Sequence, residues 1–175
     1  SPITDLHAME AIRLIAGNLP GAVANPRSLE YQGPMMLASL EAGLAFSNAI
    51  LGAVHAMAHS LGGYYDLPHG ECNAILLPKV VAFNYSACPE RFDRIGEAMG
   101  MAMQSIPANE RAGKLVERIA SLREAVGIAA TVSRFGVKKS DVPRLTDFAL
   151  QDACMSTNPK LMAYCDVEAI YEAIL

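Results

Sequence analysis

The 175 residues contain no G-x-G-x-x-G turn and no strand-helix-strand alternation, so they carry no pyrophosphate cradle of the dinucleotide-binding kind. Cysteine is sparse and unpatterned. Cys72, Cys88, Cys154 and Cys165 show no C-x-x-C pairing, which excludes a disulfide framework and reads as reduced thiols in a cytoplasmic protein. Lysine and arginine form no cluster, and a net charge of -4 with a pI near 5.5 leaves no footprint for nucleic acid or anionic lipid. There are no internal repeats, low-complexity tracts or linkers. The amino end shows neither a basic segment nor the apolar stretch of a signal peptide.

What the chain does have is apolar residues at helical spacing. Hydrophobic types make up 52% of the sequence, enough to build the core of one domain's worth of chain. Leu6, Met9, Ile12 and Leu14 predict a first helix that Asn18 and Pro20 end, and residues 21–34 read as a loop with a helix start at Ser28. Met35, Leu40, Leu44, Phe46 and Leu51 continue as a long helix. No charge occurs from Ala42 to Tyr65, but Ser47, Asn48, His55, His59 and Ser60 would be costly in hydrocarbon, so this run is expected to be a buried central helix and not a membrane span. Further on, ECNAILLPKVVAFNYSA predicts a buried helix bent or restarted at Pro78, and the charged stretches from 89 to 127 predict amphipathic surface helices. A capped helix is expected from Ser140 and Asp141, and a last short one is expected after Asp166. The fold class is therefore all-α, a multi-helix bundle.

Chemistry concentrates between Gly52 and Gly70, in GAVHAMAHSLGGYYDLPHG, which holds three of the four histidines. His55 and His59 lie four apart, on one helix face. Gly62 and Gly63 then permit a C-cap, and YYDLP returns the chain to His69. Three imidazoles in one helix-loop-helix unit suit a divalent cation; the competing reading is a set of hydrogen-bonded core histidines. The zinc peptidase pattern H-E-x-x-H is excluded because Ala56 stands where its glutamate would be. Since the histidine helix carries no carboxylate, further ligands must come from elsewhere. Asp5, His7 and Glu10 are poor candidates. Residues two apart on a helix diverge by about 160°, so a solvated or capping face is the expectation there.

HAMAHSLGGYYDLPHG followed by ECNAILLP resembles the signature of the iron-containing (group III) alcohol dehydrogenases, and the likeness extends from S-P-I-T-D at the start to D-A-C-x-x-T-N-P near the end. The resemblance implies a dehydroquinate synthase-like carboxy-terminal helical domain, lacking its α/β cofactor domain. It also implies that His55 and His69 bind the metal, together with an Asp-x-x-x-His pair upstream of Ser1. His59 would stand beside nicotinamide and substrate in a proton-relay or positioning role. Phe46 is then either a plain core residue or a wall of the substrate pocket, and Cys154 either a buried thiol or a side of the substrate channel. Implied cofactors are Fe2+, with Zn2+ or another divalent metal open, and NAD or NADP bound mainly by the absent domain. Partners would be a small alcohol or aldehyde, the amino-terminal domain and further copies of the subunit. Two alternatives stay open: a stand-alone helical metal-binding or assembly module, and a glycerol dehydrogenase-like zinc enzyme.

Overall fold

Ser1 caps the first helix through its hydroxyl, which accepts from the Thr4 backbone N–H, with Pro2 at the first helical position. A computed structural model describes residues 1–175, and its regular elements are helical throughout. The eight α-helices are α1 (Pro2–Ala24), α2 (Leu29–Ala49), α3 (Ala53–Tyr65), α4 (His69–Asn84), α5 (Pro89–Ala98), α6 (Arg111–Ala125), α7 (Val142–Gln151) and α8 (Tyr164–Glu172), joined by short 3-10 turns. The all-α expectation holds. Contacts group the chain into two units, one of residues 1–50 and 89–115, the other of residues 51–88 and 116–175.

In the first unit α1 and α2 lie against each other along their lengths. Small side chains let them approach: Ala11, Ala22, Ala38 and Ala45 are buried. Pro20 does not end α1, which runs on to Ala24. A mid-helix proline removes one backbone bond, and pairing with α2 outweighs that loss. Pro34 likewise sits inside α2, so the expected loop ends at Ser28, the N-cap. The side chains near the start of α1 are engaged by charged partners. Asp5 accepts from Arg91 at 2.6 Å, Glu10 pairs with Arg13, and His7 meets Glu41.

The second unit is built on α3, α4, α7 and α8. Ala53, Met57 and Leu61 from α3, Cys72, Ile75 and Leu76 from α4, Leu145 and Ala149 from α7, and Val167 and Tyr171 from α8 form its core. Tyr171 closes that core with a polar bond, its hydroxyl donating to the Met57 carbonyl at 2.9 Å. Asp141 is the N-cap residue of α7 but makes no side-chain cap; it accepts instead from the Tyr65 hydroxyl.

Three local expectations need correction. The uncharged run from Ala42 to Tyr65 is not one helix: α2 stops at Ala49, Ile50 adopts φ 61°, and α3 begins at Ala53. Its buried part is α3, whereas Leu44 and Phe46 remain substantially exposed. No single helix in the chain is long and apolar enough to cross a membrane. Second, Gly62 and Gly63 do not cap α3. The helix continues through both to Tyr65, and Asp66 takes the left-handed position at φ 55°, which a short polar side chain tolerates. Third, α4 passes through Pro78 without a restart and ends at Asn84.

Candidate metal centre

α3 delivers His55 and His59 from one face, and the tight Asp66–Pro68 return places His69 as the first residue of α4. The three rings converge. Centroid distances are 6.0 Å between His55 and His59, 5.3 Å between His55 and His69, and 5.3 Å between His59 and His69. His55 is the most enclosed of the three, while His59 and His69 reach solvent. Burial, and then the neighbouring His69 and His59, press the His55 pKa below the ordinary imidazole value, so its neutral, ligand-competent form is favoured.

Each outer imidazole has a polar partner of its own. The Asn73 side-chain amide donates to His69 Nε2 at 3.0 Å and to the His69 carbonyl at 3.0 Å, steadying the ring from one turn along α4. His59 Nδ1 lies 2.9 Å from Asp152 Oδ2. Asp152 caps the 3-10 turn Ala153–Thr157, accepting from the Cys154 backbone N–H at 2.8 Å. Partial burial opposes ionisation of Asp152, but the hydrogen bonds from Cys154 and His59 outweigh it and hold the carboxyl below its usual value. Burial and the adjacent Asp152 raise the Cys154 thiol. Ligating atoms of His59, Asp152 and Cys154 all lie within 4.8 Å of one another. Beside them a cleft of about 290 Å³ is lined by His59, Ser60, Gly63, Tyr64, Phe148 and Asp152.

The structure thus brings His55, His59 and His69 together and sets Cys154 beside His59. Phe46 belongs to α2 in the first unit, about half exposed. Asp152 and Asn73 carry parts of the site that sequence reasoning assigned to no one. Asn73 was within reach, four residues after His69. For Asp152 the only signal was its place in the D-A-C motif, because 93 residues separate it from His59.

This donor set fits a borderline divalent cation. Imidazoles with polar partners behind them are the ligands such metals take, and although α3 carries no carboxylate, Asp152 sets one beside His59.

The helical architecture around the histidine cluster is that of a carboxy-terminal helical domain, and comparison with known proteins agrees over the full length. All of residues 1–175 match the model of the Fe-containing alcohol dehydrogenase family, C-terminal. The chain belongs to that family. It is 44% identical to 1,3-propanediol dehydrogenase of Klebsiella pneumoniae over 171 residues, covering 98% of this chain and 44% of that protein. Lactaldehyde reductase of Escherichia coli is 38% identical, with 97% of this chain and 44% of the relative covered. Among solved structures, a 1,3-propanediol oxidoreductase superposes with a TM-score of 0.97 at 43% identity, over 100% of this chain and 46% of the other. An alcohol dehydrogenase from Oenococcus oeni gives 0.96 at 38% identity, with the same coverage. The chain therefore spans about half the length of the relatives it matches.

Proposed function

We propose that this chain is the metal-bearing half of an NAD(P)-dependent oxidoreductase that interconverts a small primary alcohol or diol with its aldehyde. The observation that carries the reading is the convergence of the His55, His59 and His69 rings to within 6.0 Å at the junction of two helices. His55 and His69 hold the cation, and an aspartate and a histidine from the remainder of the protein complete its shell. Iron(II) is the proposed metal, on the strength of the family. When bound, the cation supplies Lewis acidity that lowers the pKa of the substrate hydroxyl. NAD or NADP, which the other half of the protein would mainly hold, would supply the hydride acceptor for the carbinol carbon.

The side chains of this domain do the rest. His59 takes the hydroxyl proton in the oxidative direction and returns it in the reductive one, a role suited to a half-exposed imidazole at the edge of a cleft. Tyr64 and Phe148 give that cleft apolar walls of a size for a short carbon chain. Cys154, beside His59, is proposed as a side of the substrate channel, and Phe46 as a further pocket wall in the assembled enzyme. Four free thiols accord with a reducing cytoplasm. Exposed Leu29, Met36 and Leu40 on α2 give further subunit copies an apolar face to cover.

The test is a panel of primary alcohols and diols offered to the full-length protein with NAD or NADP, with and without a chelator. Turnover that the chelator abolishes is expected, with His59→Ala lowering kcat by about 10²-fold at most of the metal retained. Turnover indifferent to the chelator would contradict the reading.

A further inference from the structure

We propose that Asp152 is a positioning residue that fixes the tautomer of His59, placing the proton on Nδ1 and leaving Nε2, across the ring, as the basic atom. An ionised carboxylate only accepts, so a neutral imidazole whose Nδ1 lies 2.9 Å from Asp152 Oδ2 must carry its hydrogen on that nitrogen. The hydrogen bonds that hold Asp152 ionised act in the same sense. Nε2 then has a lone pair to offer. With the opposite tautomer, Nε2–H would be a donor and His59 could not begin an oxidation as a base. A carboxylate that sets the ring orientation and basicity of a working histidine is a recurrent arrangement.

The second contact makes this inference testable by one nearly isosteric change. Asp152 Oδ1 is committed to the Cys154 backbone N–H at 2.8 Å, in the N-cap of the 3-10 turn. In Asp152→Asn that backbone donor needs an acceptor, so the amide oxygen takes the Oδ1 place and the NH2 group turns to His59. An NH2 group donates. His59 Nδ1 must then accept, and its proton moves to Nε2. The substitution therefore inverts the tautomer while keeping volume, cap and fold. Asp152→Glu keeps the acceptor but displaces it, and should restore part of the effect.

What His59 does in the reaction rests on the dehydrogenase reading above; where its proton sits does not. The experiment is 15N NMR of the full-length, metal-free protein labelled at histidine, with the His59 signals assigned through His59→Gln, alongside kcat, KM and metal content of the metal-loaded enzyme. Expected for the wild type is a protonated Nδ1 and a bare Nε2. Expected for Asp152→Asn are inverted 15N shifts, a kcat lower by about 10²-fold, a KM within about threefold and full metal content. A bare Nδ1 in the wild type would overturn the proposal without any variant. So would 15N shifts that stay uninverted in Asp152→Asn. Should the wild type neither hold metal nor oxidise alcohols, the dehydrogenase reading fails, and the 15N shifts still decide the tautomer.

Discussion

Asp5 illustrates what a single residue contributes away from the site. The hydrogen bond from Arg91 lowers its pKa, against a smaller opposing effect of burial. A carboxyl whose folded pKa lies below its unfolded value stabilises the fold above the unfolded pKa, near 3.9, and loses that contribution as pH falls through the folded value. The Arg91 side chain is 58% exposed, so the pair is worth only about 0.2–1 kcal/mol. Thermal melts of wild type and Asp5→Asn from pH 7 down to acid should show a small gap in Tm that closes as the carboxyl protonates; a gap constant with pH would mean that the ion pair is not its origin. Legibility in the sequence divides along the same line. His55, His59 and His69 could be found because their convergence is dictated locally, by the four-residue helical repeat and a short return. Asp152 could not, since nothing near Gly52–Gly70 specifies which distant carboxylate the packing of α7 against α3 delivers to His59.

At the scale of elements, helix existence followed from apolar periodicity, and the helix ends were the part that misled. Proline and glycine are strong local signals, yet Pro20, Pro34 and Pro78 all lie inside helices, and Gly62 and Gly63 continue one. Packing along a whole helix face outweighs one missing backbone bond or a modest propensity penalty. The joint before the histidine helix is the least expected feature. Ile50 holds φ 61° and ψ -167°, a conformation that a β-branched residue adopts at a cost of about 1–3 kcal/mol. Its side chain is 55% exposed and so loses little packing on removal. Ile50→Gly exchanges that strain for glycine's entropic cost of about 0.5–1 kcal/mol, giving a net stabilisation of about 1 kcal/mol. Calorimetry should record a higher Tm; a lower one would show that Ile50 is not strained in the folded protein.

For the whole molecule the decisive point is that the proposed donor set is incomplete. The two histidines proposed to hold metal are fewer than the three protein ligands that a catalytic divalent site usually keeps, and the relatives are about twice as long as this chain. Residues 1–175 alone are therefore expected to bind divalent metal weakly and to show no alcohol oxidation with NAD or NADP. The most direct test of the central claim is the metal content of the full-length protein, wild type beside His55→Ala and His69→Ala, after gel filtration in metal-free buffer. About one divalent ion per subunit is expected in the wild type, with loss of most of it in either variant. Full metal retention in both variants would contradict the claim that these two histidines hold the ion.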